Sequence, residues 1–150
     1  MLRIHVGSDH AAVGLRLTVV EHLRGLGHEV TEIGPAEGER CDYPDHAATV
    51  ARAVSDGDSN LGVLVCGTGI GVSIAANKIP GIRAALVHDL TTARFAAQHN
   101  DANVLCLGGR LLAPQLALEL IDAWLTTPFE ARHQHRLDKI TVLERPRGSG

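Results

Sequence analysis

The chain has 150 residues, enough for one domain that buries a sizeable core, and 45% of them are hydrophobic. A net charge of −3, with charged residues at 21%, argues against a broad phosphate-binding surface for nucleic acid and leaves room only for a local cationic pocket. Aromatic residues make up 3%, so Leu, Ile, Val and Ala must pack the core, and no ring platform for stacked bases is expected.

Taken in order, the chain opens on a strand in which Leu2, Ile4 and Val6 alternate with Arg3 and His5, short and half exposed on one face. No long apolar stretch follows it, so it does not read as a signal peptide, and no run reaches the roughly 20 apolar residues of a membrane span. Gly7 to His10 end the strand. Leu15, Val19, Leu23 and Leu26 then repeat at helical spacing until Gly25 and Gly27 stop them. A second strand covers His28 to Ile33, and Gly34-Pro35 turns the chain into a polar, irregular segment. Pro44-Asp45 starts a helix through Val50 and Val54, closed by Asp56-Gly57-Asp58.

Leu61 to Val65 form an apolar run bounded by glycine, a buried strand. The turn Cys66-Gly67-Thr68-Gly69-Ile70-Gly71 leads into a helix over Val72 to Lys78. A fourth strand spans Arg83 to Val87, and His88 to Thr92 lead a helix to about Gln98. The polar turn His99-Asn100-Asp101 precedes a fifth strand from Val104 to Leu107. A helix follows from about Pro114 to Leu125, then Thr127-Pro128, then a last helix from about Glu130 to Leu143. Residues 1–144 read as a single domain and residues 145–150 as a flexible tail. Five alternations of strand and helix predict an α/β fold: a five-stranded parallel sheet in a three-layer αβα sandwich, Rossmann-like.

In such sheets ligands sit beyond the carboxyl ends of the strands. Asp9-His10, Cys66 to Gly71 and His88-Asp89 fall there. His99-Asn100 precedes its strand, so it is expected at the opposite edge.

A strand, a glycine-rich turn and a helix together aim backbone N–H groups at one point, which suits an anion. The turn is neither a Walker A loop nor a dinucleotide fingerprint, since the required lysine, glycine spacing and acidic residue are missing. A tight turn packed on the sheet is the plain alternative. Within it, Cys66 ends the strand, and a thiolate beside a helix N-terminus has a lowered pKa and serves as base or nucleophile. Cys106 fits a buried structural thiol. With Cys41 the cysteines number three, widely spaced, which gives no disulfide framework and no metal knuckle; a reducing cytoplasm is the simplest setting.

Asp9-His10 reads as an acid/base or anion-binding pair, or as a helix cap through Asp9. Arg132 and Arg136, four apart on one helix face, suit a phosphate clamp, though a solvated face with Glu130 and Asp138 is the plainer reading. His133 and His135, two apart, cannot face one metal together, so no metal site is expected.

Together these pieces resemble the ribose-5-phosphate isomerase type B family, which includes allose-6-phosphate and galactose-6-phosphate isomerases. The resemblance rests on Gly7 to Ala11, Asp42-Tyr43-Pro44, Cys66 to Gly71 with Ala75 to Lys78, Gly81 to Ala85, His88-Asp89, His99 to Leu105, and Arg132-His133 with Arg136, over about residues 1–140. It implies aldose–ketose isomerisation of a phosphorylated sugar with no metal or organic cofactor, no nucleic-acid or membrane partner, and homodimers or homotetramers with shared sites. Cys66 would be the base, Thr68 would assist proton movement, and His99 would open the sugar ring. Gly67, Gly69 and Gly71 would hold the enediolate oxygen. Asp9, Tyr43 and Asn100 would contact the sugar. His10, Arg132, Arg136 and Arg110 would meet the phosphate.

Family members often carry Gly-Gly before Arg-His. Here the segment is Phe129-Glu130-Ala131-Arg132-His133, one residue shorter, which bears on substrate length. The leading expectation is ribose 5-phosphate to ribulose 5-phosphate through a cis-enediolate. The alternatives are another sugar phosphate (allose 6-phosphate, galactose 6-phosphate or a tetrose phosphate) or a non-catalytic sugar-phosphate or nucleotide sensor.

Overall fold

In a computed structural model, residues 1–148 are described, and five parallel strands form one sheet in the order β2-β1-β3-β5-β4. They are β1 (Arg3–Ser8), β2 (Glu29–Ile33), β3 (Leu61–Cys66), β4 (Ala84–Leu86) and β5 (Val104–Gly108). Six α-helices connect and follow them: α1 (Val13–Gly25), α2 (Tyr43–Ser55), α3 (Ile70–Ala76), α4 (Leu90–Gln98), α5 (Pro114–Thr126) and α6 (Gln134–Leu143). None is long and apolar enough to cross a membrane. Arg145 to Gly148 are exposed, and the last two residues of the expected tail lie outside the described residues.

The period of two along each strand sends side chains to two separate cores. Ile4, Val6, Val63, Val65, Leu105 and Leu107 pack with α1, α4 and α5. Leu64, Cys66, Val104 and Cys106 pack with α2 and α3 on the other face. The chain moves one way across the sheet through α1 and α4 and the other way through α2 and α3. Crossovers of one hand therefore place these pairs on opposite faces.

The chain leaves β1 and β3 in opposite directions, so a crevice opens beyond their carboxyl ends. Glycines let α2 close down on this part of the sheet: a Cβ at Gly7 or Gly62 would stand 2.7 or 2.8 Å from Val50. β1 is consequently less exposed than its alternation suggests. Only Arg3 is exposed and His5 partly so, while Gly7 and Ser8 are buried.

Two elements differ from their expected bounds in ways that bear on function. The helix after the glycine loop starts earlier, at Ile70, because Gly69 takes φ +79 and turns the chain directly into it. The last helix is split: Ala131–His133 form a 3-10 turn, with His133 N–H donating to Glu130 O at 3.0 Å, before α6 begins. Arg132 thus sits in a tight turn and only Arg136 is on the α-helix, so the two arginines are not on one helical face.

Candidate active site

Beyond β1 and β3 lies a cleft of about 440 Å³. Its walls include Asp9, His10, Tyr43, Cys66, Gly67, Thr68, Gly71 and Arg110, with Ala11, Ile70 and Ile74. Eight of the expected site residues therefore meet here.

Asp9 follows the last residue of β1 and is 8% exposed. Its backbone N–H donates to Val65 O at 3.2 Å, continuing the β1–β3 ladder. Its Oδ1 accepts the Ala11 N–H at 3.0 Å, so it also caps the turn before α1. Behind it, buried Arg16 donates to Ser8 Oγ at 2.9 Å and to Pro35 O at 2.7 Å, tying the end of β1 to the loop after β2. His10 is fixed by that loop: its Nδ1 lies 3.1 Å from Cys41 O and 3.3 Å from Cys41 N. One imidazole nitrogen is engaged by backbone, which leaves Nε2 as the polar atom available to a ligand.

Cys66 ends β3 at 5% exposure, and Gly69 N–H donates to its Sγ at 3.2 Å. Ile70 N–H donates to Thr68 Oγ1 at 3.2 Å, leaving that exposed hydroxyl able to donate outward. The loop fits closely under its neighbours. A Cβ at Gly71 would stand 2.6 Å from the Tyr43 ring, and one at Gly108 would stand 2.8 Å from Thr68 O. Arg110, just past β5, donates its N–H to Gly67 O at 3.0 Å, and its side chain lies over Gly67. Cys106 is fully buried under the same face, and burial pushes its thiol above the usual range.

Gly69 stands apart from the other loop glycines. It does not line the cleft, and its N–H is spent on the sulfur. It shapes the loop and orients the thiol.

The remaining expected residues gather elsewhere on the chain. Cys66 pairs with Gly108 and Gly62 with Val104, so the start of β5 is four residues from Cys66 along the sheet, about 13 Å. His99 and Asn100 precede that start. Arg83 holds their turn, donating from Nε to Asn100 O at 3.0 Å and from Nη2 to Asp101 O at 2.8 Å. The His99 ring stacks on Phe95 with centroids 4.3 Å apart and meets the His133 ring at 4.7 Å. Arg136 Nη1 donates to His133 Nδ1 at 2.8 Å, and Arg132 Nε donates to Glu130 Oε2 at 2.6 Å. His99, Arg132 and Arg136 thus form a second polar cluster with Asn100 beside it. One chain carries two clusters at opposite ends of its sheet.

His88 and Asp89 join neither. They follow edge strand β4, and Asp89 Oδ1 accepts the Thr92 N–H at 2.7 Å as the cap of α4. Among the described residues, no three His, Cys, Asp or Glu are grouped to hold a metal ion.

A model of the Ribose/Galactose Isomerase family matches residues 4–140. The chain belongs to that family. It is 45% identical over 148 residues to ribose-5-phosphate isomerase B of Escherichia coli, covering 98% of this chain and 99% of the relative. Identity to D-erythrulose-4-phosphate isomerase of Pectobacterium atrosepticum is 47% over 131 residues, covering 87% and 86%. The solved type B ribose 5-phosphate isomerase of Trypanosoma brucei matches with a TM-score of 0.91 and 49% identity, covering 95% of this chain and 98% of that one. Aldose–ketose isomerisation is the chemistry of such a ribose/galactose isomerase.

Sequence reasoning missed several residues of this isomerase. Ile70 and Ile74, one turn apart on α3, put apolar surface on the cleft, and their spacing was a usable signal. Arg16, Gln98 and Glu130 act through long-range contacts that no local pattern announces.

Proposed function

We propose that the chain interconverts ribose 5-phosphate and ribulose 5-phosphate, with Cys66 as the base. The observation that carries this reading is the setting of the Cys66 sulfur. It lies at the edge of a cleft, held by the Gly69 N–H, among Asp9, Thr68 and Tyr43.

With the sugar open, the Cys66 thiolate takes the proton from C2. The C2–H electron pair forms the C1–C2 double bond, and the carbonyl pair moves onto O1, giving a cis-enediolate. Returning the proton to C1 leaves the carbonyl at C2. Donors aimed at the developing charge supply the main catalytic effect. Here these are the N–H groups of Gly67 and Gly71, while the Thr68 hydroxyl shuttles a proton between O1 and O2. Asp9 and Tyr43 hold the sugar hydroxyls.

The phosphate goes to His10 and Arg110 of the same cleft, joined by Arg132 and Arg136. His99 opens the furanose ring and Asn100 steadies the enediolate. These last four come from a second copy of the chain, since within one chain they lie at the far end of the sheet. A homodimer, or a tetramer built from dimers, then has sites shared between subunits. Three free thiols fit a reducing compartment such as the cytoplasm.

The identity to a D-erythrulose-4-phosphate isomerase favours one rival substrate, a tetrose phosphate. A panel of tetrose, pentose and hexose phosphates compared by kcat/KM decides between them, and ribose 5-phosphate is expected to lead. Run in deuterium oxide, the same assay is expected to label the product carbon. Binding without label would mean a sugar-phosphate sensor and would overturn the isomerase reading.

A further inference from the structure

Glu130 is the hub of the second polar cluster. Its backbone N–H donates to Gln98 O at 2.9 Å, and its Oε1 accepts from Gln98 Nε2. Its other oxygen, Oε2, accepts from Arg132 Nε at 2.6 Å and lies 3.8 Å from His133 Nε2.

The His133 contact is the telling one. A guanidinium only donates, so His133 Nδ1 must accept from Arg136, and the neutral ring carries its proton on Nε2. That Nε2 is buried and has no hydrogen-bond partner. A buried donor left unmade is costly, and 3.8 Å is too long to count. Its nearby acceptor, Glu130 Oε2, is taken by Arg132. One oxygen therefore has two claimants, a buried N–H and a guanidinium whose side chain is 67% exposed.

We infer that Glu130 is a partner-exchanging carboxylate that sets phosphate affinity, holding Arg132 in reserve and passing to His133 Nε2 when Arg132 turns to the phosphate. This rests on the reading of Arg132 as a phosphate ligand. The exchange needs the carboxylate oxygen to move only about 1 Å, from 3.8 Å to hydrogen-bond distance. A phosphate offers Arg132 a bidentate, doubly charged partner that outcompetes a single carboxylate oxygen. The buried His133 donor gains its bond in the same step. Glu130 still opposes the phosphate, because its charge stands beside the arriving dianion and its ion pair must break first.

Inhibition by inorganic phosphate and by ribose 5-phosphate analogues reads this directly. Glu130→Gln and Glu130→Ala are both expected to lower the inhibition constant for inorganic phosphate by about two- to fivefold, the range of an exposed ion pair. Neither variant should do so when Arg132→Ala is also present. In the wild-type enzyme labelled with nitrogen-15 histidine, the His133 Nε2–H proton should shift downfield on saturation with phosphate, and this shift should be absent in Glu130→Ala, which leaves no side-chain acceptor. Unchanged or weaker inhibition in both variants, while Arg132→Ala alone weakens it, would overturn the exchange and leave the clamp standing. A silent His133 proton would also overturn it. If Arg132→Ala leaves phosphate inhibition unchanged, the clamp fails and the exchange fails with it.

Discussion

The N–H of Gly69 donates to the sulfur of Cys66 across 3.2 Å, so the shape of the glycine loop and the aim of the thiol are one feature. Gly69 holds φ +79, and a Cβ there would stand 2.5 Å from Leu86 Cδ1 and 2.9 Å from the Leu107 carbonyl carbon. No other residue type meets both demands.

Gly69→Ala is therefore expected to destabilise the fold by about 1–3 kcal/mol. It should also lower kcat on the order of 100-fold in the molecules that remain folded, because the thiol and the loop N–H groups shift together. Chemical denaturation and steady-state kinetics at low temperature separate the two effects. Wild-type kcat in a folded variant would show that the loop does not aim the thiol.

On the proposed mechanism, Cys66→Ala removes the proton carrier and leaves the phosphate contacts intact. Turnover should vanish while the affinity for inorganic phosphate stays within about twofold of wild type, as for any group that acts only in the transition state. Isothermal titration with phosphate and a coupled isomerase assay give the two numbers. Retained turnover would remove Cys66 from its role.

His133 adds a pH dependence to stability. Burial, then the charges of Arg132, His99 and Arg136, hold its imidazole below the ordinary histidine range, although Glu130 opposes them. In the unfolded chain it titrates near 6.5. As pH falls below that value the unfolded chain takes a proton that the folded protein resists, so the unfolded state is favoured. The contribution is present in full above about 6.5 and is lost as pH falls toward the lowered folded value. Denaturation midpoints from pH 8 to 5 should drop less steeply in His133→Gln than in wild type. Equal slopes would mean His133 takes up its proton as readily in the folded protein as in the unfolded chain.

Trp124 anchors the far end of the sheet. It is 3% exposed, and its Nε1–H donates to Ala102 O at 3.0 Å, just after the His99–Asp101 turn. Trp124→Phe leaves that buried carbonyl without a donor and should cost about 1–3 kcal/mol. If the turn moves with it, KM for a sugar that must open its ring should worsen more than binding of inorganic phosphate. A variant as stable as wild type would mean water replaces the indole.

Much of this was legible in the sequence because it is local. Glycine-bounded apolar runs alternating with helical repeats specified the five parallel strands, and Cys66 was readable as the last residue of β3. That His99 precedes β5 already put it at the far edge. The Asp9 cap was readable too, since capping needs only near neighbours.

What was hidden depends on partners far apart in the chain. Strand order is set by pairings such as Gly62 with Val104. The loss of a shared arginine face follows from the 3-10 turn over Ala131–His133, which comes before α6 begins. Gly69 gives its N–H to the sulfur only because the loop folds back on Cys66. Glu130 looked like a solvated neighbour of Arg132; its contacts with Gln98 and His133 need α4 to pack beside the last turn.

Complementation between two inactive variants tests most directly the claim that sites are completed across chains. On the proposed mechanism, Cys66→Ala should be inactive for lack of the base, and Arg136→Ala for lack of the clamp. When the two are unfolded, mixed in equal amounts and refolded, half of the dimers should be mixed. Each mixed dimer should hold one site with both residues intact, restoring about one quarter of wild-type activity. Activity no greater than the sum of the separate variants would contradict the shared site and return both clusters to a single chain.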